Sequence, residues 1–280
     1  MKRLVLLLPG AIAVLLLAGC GGGGTSQFAV QPAAVYKLAD FAPARPVQPD
    51  KPTTLSFAIR QPDGSLLTRF KRGPGPHTGI HLIIVRDDLA YIIHHHPPVG
   101  PGGKLTDTVT FPAPGPYRVV VDVYPATGPQ TNFQLFGRIR VAGAYKPQPL
   151  PPTSSADQAA GYRFTLSGAA HLHAIQAEDV VVHVAGPNGK PARFTPWFGA
   201  LAHAIFFRRG SLDYFHTHVC SPGATGCTSI LGPAKVTGTS STPGKLTVGV
   251  LVPAPGTWRL FLQCKVAGRI LTAPFTLHVT

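Results

Sequence analysis

The chain has 280 residues, of which 31 are Gly and 30 Pro, so long helices cannot dominate it. Hydrophobic residues make up 44% and charged residues only 13%, which excludes generic disorder. The formal charge is +14, and what remains is a basic, Gly/Pro-punctuated chain expected to be all-β.

The N-terminus opens on Met1-Lys2-Arg3, runs apolar from Leu4 to Leu17 and ends in Leu17-Ala18-Gly19-Cys20 before a Gly/Ser stretch. A basic start, a short apolar run and a small-residue cleavage site make a signal peptide, too short for a spanning helix. The Leu-Ala-Gly-Cys ending resembles the bacterial lipobox. That resemblance implies cleavage after residue 19, a lipidated Cys20 and an extracytoplasmic protein held to the cell membrane by its acyl chains. Residues 20–27 then form a lipidated, flexible tether, and loss of Lys2 and Arg3 leaves a charge of +12.

The rest of the chain reads as a tandem repeat. Gly103–Val119 aligns without gaps to Gly244–Leu260 with ten of seventeen positions identical, including Pro-Ala-Pro-Gly-x-aromatic-Arg. Upstream, Gln61-Pro62-Asp63-Gly64 matches Gly186-Pro187-Asn188-Gly189. We expect one β-sandwich over 28–143, a Pro-rich linker over 144–160 and a second β-sandwich over 161–280. Short apolar runs such as Thr54–Ile59, His81–Val85, Leu89–Ile93 and Tyr117–Tyr124, with counterparts in the second copy, are separated by turn signals. The pattern resembles immunoglobulin-like and cupredoxin-like sandwiches, and the His-hairpin followed by Pro-Ala-Pro-Gly is similar to an uncharacterised actinobacterial envelope-protein type. Neither resemblance implies an activity.

Histidines carry the chemistry. His81 is followed after twelve residues by His94-His95-His96, and His203 after twelve by His216-Thr217-His218. Pairing Val85 with Ala90 sets His81 opposite His94, and pairing Phe207 with Leu212 sets His203 opposite His216. Residues opposite or two apart share a face. His81, His94 and His96 thus cluster on one hairpin, and His203, His216 and His218 on the other. His95 points away, and Thr217 replaces it in the second copy. Three imidazoles without thiolate suit copper or zinc. His77, His171 and His173 are candidates for additional ligands. A blue-copper site is excluded: the one Met is in the signal, and no His closely follows Cys264. Packing histidines in a non-catalytic adhesion or interaction module fit the same pattern.

Cys220 and Cys227 are expected to form a disulfide in a loop longer than that of the first copy. Cys264 shares strand parity with Trp258, Leu260 and Leu262, as a buried thiol would, although pairing with Cys220 or Cys227 stays open. No Gly-x-Ser-x-Gly, His-Glu-x-x-His or phosphate loop is present, and Glu178 is the lone Glu, so no enzymatic activity is expected, a metal-dependent enzyme using Asp213 beside Tyr214 being the one catalytic alternative left open. Outside the cell, the spread positive charge suits an envelope protein or an anionic wall polymer rather than nucleic acid.

Overall fold

The computed structural model describes residues 35–71, 79–127, 132–224, 230–231 and 234–280. The expected signal peptide, Cys20, His77 and Cys227 lie outside these. Among the described residues no helix is long and apolar enough to cross a membrane.

The first half contains β1 (Lys37–Ala42), β2 (Pro52–Arg60), β3 (Ile80–Arg86), β4 (Ile92–His95), β5 (Leu105–Thr110), β6 (Gly115–Val123) and β7 (Phe133–Val141). They form two sheets, β1-β2-β5 and β4-β3-β6-β7, with antiparallel pairing throughout. Alternation explains the layering. Leu55, Phe57 and Ile59 of β2 face Ile80, Leu82 and Ile84 of β3 and Tyr117, Val119 and Val121 of β6 in one core.

The second half contains β8 (Ala156–Ala159), β9 (Tyr162–Ser167), β10 (Glu178–Ala185), β11 (Phe194–Thr195), β12 (Ala202–Arg208), β13 (Tyr214–Cys220), β14 (Ile230–Leu231), β15 (Ala234–Lys235), β16 (Gly238–Thr239), β17 (Lys245–Val250), β18 (Gly256–Val266) and β19 (Arg269–Val279). The order β11-β18-β12-β13-β16-β17-β10-β9-β8, with β19 also on β18, joins the counterparts of both first-half sheets through the two-residue β16. The end of the expected linker is not a spacer but a strand of the second half, because β8 pairs with β9. Val180, Val182, Leu246, Val248, Trp258, Leu260 and Leu262 belong to the second core.

The repeated Pro-Ala-Pro-Gly motif has a structural cause. Tyr117 Oη donates to the Ala113 carbonyl at 2.9 Å, and Trp258 Nε1 donates to the Ala254 carbonyl at 2.9 Å. Each buried ring thus ties its strand to the turn four residues earlier. The turn glycines Gly115 and Gly256 adopt φ of 130° and 129°, which disfavours a side chain.

β3 is buried at every residue and β12 at all but its last. In a two-layer sandwich one face of each would meet water. Here the second faces meet each other. Ile83, Val85 and Val120 of the first half pack with Ile205, Phe207 and Phe261 of the second, joined by Leu89 and Leu212. The two halves therefore share a third, apolar interface, and the histidines lie on these same strand faces.

Candidate metal centre

The hairpin register corrects the sequence expectation by two residues. Leu82 pairs with His95 and Ile83 with His94, which places His81 across from His96 rather than His94. In the second hairpin His203 pairs with His218 and Ile205 with His216. Each hairpin turns one residue later than expected, closed by Arg86 N–H on the Tyr91 carbonyl and Arg208 N–H on the Asp213 carbonyl; within the turns Leu89 (φ 63°) and Leu212 (φ 58°) take left-handed backbone conformations and bury their side chains in the interface. A slip of two preserves parity, so the expected histidines still share a face. His95 points away as expected, its Nδ1 lying 2.7 Å from Asp107 Oδ2. Thr217 in turn donates through its Oγ1 to the Val236 carbonyl.

The two clusters are not separate. His81, His94, His203, His216 and His218 are buried, and His96 is partly so, at the junction of the halves. Ring centroids are 4.3 Å apart for His81–His96, 4.5 Å for His216–His218, 4.8 Å for His81–His216 and 4.9 Å for His94–His203. Two sets have one nitrogen per residue within 4.8 Å of one another: His81/His216/His218 and His94/His203/His216. Both draw on both hairpins, and neither includes His96, which stacks on Phe198 at 3.7 Å.

His171 and His173 lie elsewhere. They sit at a short 3-10 turn, Ala169–His171, and just after it, rather than on a strand. Both are exposed, and His173 Nδ1 is 2.8 Å from Glu178 Oε1. Their two-residue spacing therefore defines no shared strand face.

Two further residues complete the site, and both come from β6 and β18. Asp122, on β6, is buried with its Oδ2 3.5 Å from His81 Nδ1 and 3.4 Å from His216 Nδ1. Tyr214 donates its hydroxyl to Oδ2 at 3.2 Å, while Asn132 and Gln134 donate to Oδ1 at 2.8 and 2.9 Å. Gln263, on β18, donates through Nε2 to Thr272 and presents Oε1 to His94 Nδ1 at 2.9 Å. Extending the Gly103/Gly244 alignment places Asp122 on Gln263, so each half supplies one polar residue to the other half's histidine. The sequence signal was available: Asp122 interrupts the run Val119-Val120-Val121-Asp122-Val123.

These partners fix tautomers. The Trp197 carbonyl accepts from His203 Nε2–H at 3.0 Å, leaving His203 Nδ1 as the bare nitrogen. Gln263 Oε1 accepts from His94 Nδ1–H, leaving Nε2 bare, and that buried atom has no hydrogen-bond partner. His216 is caught between demands. Its Nε2 lies 3.3 Å from bare His203 Nδ1 and its Nδ1 lies 3.4 Å from the Asp122 carboxylate. Only a doubly protonated ring satisfies both, yet burial pushes its pKa down to about 4 against the pull of Asp122. Neither neutral tautomer matches both neighbours.

Electrostatics reinforce this. Burial, with repulsion from neighbouring imidazoles, holds His94, His96 and His203 neutral, with pKa values lowered. Burial raises the Asp122 carboxyl, but the contacts from His216 and His81 outweigh it and hold its pKa well below the usual range. An open cavity of about 480 Å³ beside the cluster is lined by His94, His95, His96, Asp107, Trp197, Phe198, Gln263 and Ile270, and connects it to solvent.

Cys220 is disulfide-bonded, while its expected partner Cys227 lies outside the described residues. Cys264 is a buried free thiol whose pKa burial pushes up to about 12.

The family described as "Domain of unknown function (DUF8832)" matches residues 38–146 and 156–280. No curated protein matches the chain. Among solved structures, the Escherichia coli adhesin FdeC is 14% identical with a TM-score of 0.28, and the match covers 88% of this chain and 64% of that one. A putative membrane-anchored protein from Corynebacterium diphtheriae is 11% identical with a TM-score of 0.26, covering 89% and 58%. Fibronectin(III)-like modules of Clostridium thermocellum CbhA are 8% identical with a TM-score of 0.22, covering 88% and 93%. The chain thus spans less than two thirds of the length of the adhesin, and similarity this weak carries no argument about function.

Proposed function

Since the chain belongs to the DUF8832 family, whose description names no activity, we propose a function from the site: an extracytoplasmic lipoprotein that binds a transition-metal ion, copper or zinc, between its two halves. The observation that carries this reading is His216. With His203 Nε2–H committed to Trp197, two bare nitrogens face each other at 3.3 Å unless His216 turns a bare nitrogen on Asp122 instead. A cation removes the conflict. The 3.3 Å separation also equals, within about 0.1 Å, the ligand–ligand edge of a tetrahedral ion with bonds of about 2.0–2.1 Å. The outer hydrogen bonds of His94 and His203 are of the kind that orient metal-binding imidazoles. A mainly imidazole donor set favours copper or zinc over calcium or magnesium.

The ion would act as a lock between the halves, and the protein as a binder rather than a catalyst. The lipobox would hold it to the outer face of the cell membrane through Cys20, with its basic surface turned to envelope proteins or anionic wall polymer. The test is metal analysis of the untagged, metal-stripped chain after dialysis against zinc and copper in turn. Tightly held metal, lost in His203→Ala, is expected. No metal above background would leave the histidines as packing groups of a tandem interaction module, a role that their burial and their hydrogen bonds to Gln263 and Trp197 also serve.

A further inference from the structure

The metal reading is the premise here. We propose that the ion keeps one position open to the cavity walled by Trp197 and Phe198, and that this position takes a small organic anion: a carboxylate on a flat, apolar body.

Of the two sets that could hold an ion, one borders the cavity. His94 belongs to the set His94/His203/His216 and also lines the cavity. The residues that orient this set line it too. Gln263 Oε1 lies 2.9 Å from His94 Nδ1, and the Trp197 carbonyl lies 3.0 Å from His203 Nε2. None of His81, His218 and Asp122 is in the lining. His94 is only 5% exposed, and its buried Nε2 has no hydrogen-bond partner. One ring thus joins the cavity to the place of the ion.

The ligand count leaves the position open. The set has three residues, and among the described residues no fourth His, Cys, Asp or Glu offers an atom within 4.8 Å of all three. An ion held by three imidazoles completes its shell with water or with a bound substrate.

Charge selects an anion. Imidazoles ligate as neutral rings. Among the described residues the one carboxylate in contact with this set is Asp122, through His216. A divalent ion against one carboxylate leaves a positive charge in a buried place, which an incoming monoanion cancels.

Shape sets the rest of the ligand. A volume of about 480 Å³ is far more than a hydroxide or halide fills, and it lies within the range of small-molecule sites. Trp197, Phe198 and Ile270 form its apolar wall, with the Trp197 and Phe198 ring centroids 4.7 Å apart. Aromatic faces of this kind receive a flat ring. Phe198 is held there at φ 48°, a conformation rare for a bulky residue, by a turn in which Trp197 and Ala200 exchange both backbone hydrogen bonds.

The experiment loads the metal-stripped full chain with equimolar Cu(II) and follows its absorption spectrum as sodium azide is added, then as benzoate is added to displace the azide. We expect an azide-to-copper charge-transfer band that saturates and that benzoate removes. Ile270→Glu, at an exposed position of the wall, should hold the same copper and bind benzoate several-fold more weakly. No bound copper would overturn the metal reading itself. Bound copper without an azide band would overturn the open position and leave the metal reading intact. Azide that benzoate cannot displace would overturn the organic anion. Unchanged benzoate binding in Ile270→Glu would overturn its seat in the cavity, and the two titrations of the wild-type chain need no variant to fold.

Discussion

Lowering the pH of the metal-free protein from 7 to 5 should unlock the two halves and with them the fold. His94, His96, His203 and His216 are held neutral in the folded chain by burial, with pKa values below the ordinary value near 6.5. In the unfolded chain each regains that ordinary value. Below about pH 6.5 the unfolded state therefore binds protons that the folded state refuses, and stability falls as pH falls. Each group contributes about 1.4 kcal/mol per pH unit in that window. Four such groups across roughly 1.5 units amount to about 8 kcal/mol at pH 5, comparable to the whole stability of an ordinary domain. Asp122 adds little to this slope, since at pH 5 it is ionised in the folded state, where its pKa is lowered, and largely ionised in the unfolded state, where it regains the ordinary value of about 3.9. The assay is the urea midpoint at half-unit steps of pH with a chelator present. A midpoint that holds steady from pH 7 to 5 would refute buried, neutral imidazoles at the interface. Saturating zinc should move the loss of stability to lower pH, because protons must then compete with the ion.

Three other outcomes follow from packing and hydrogen bonding. Phe207→Ala removes a fully buried ring from the apolar part of the interface and should cost about 3–5 kcal/mol by denaturant titration, while the exposed Phe136→Ala should cost far less. Tyr117→Phe deletes the hydroxyl tie to Ala113 and should cost about 1 kcal/mol by the same measurement. Gln263→Met strips His94 Nδ1 of its acceptor. It should cost about 1–3 kcal/mol in the metal-free protein and weaken zinc binding, as read by competition with a chelating dye.

The sequence expectations succeeded where parity governs and stopped where docking begins. Strands alternate with period two, so His81, His94 and His96 shared a face despite a register error of two residues. The error came from Leu89 and Leu212, since a leucine in the left-handed region is no recognised turn signal. The junction of the halves was harder. Ile80-His81-Leu82-Ile83-Ile84-Val85 and Ala202–Phe207 lack alternation, the mark of strands covered on both sides, yet that pattern does not say what covers them. Asp122 and Gln263 carry no motif of their own: each is a single polar residue within an otherwise mostly apolar strand, and its partner histidine is distant in sequence. The spacing of His171 and His173 suggested a strand where the chain makes a 3-10 turn.

The reciprocity of the interface bears on how such a protein arises. His94 meets Gln263 and His216 meets Asp122, while Ile83, Val85 and Val120 meet their own duplicates Ile205, Phe207 and Phe261. These are the contacts of an isologous pair, in which one patch recognises itself across a two-fold axis. An ancestral single unit with this face would assemble as a homodimer, and both members of every pair would then be identical by symmetry. Joining two copies in one polypeptide lifts that constraint. Carboxylate on one side and amide on the other is an asymmetry that a homodimer encoded by one short gene cannot write.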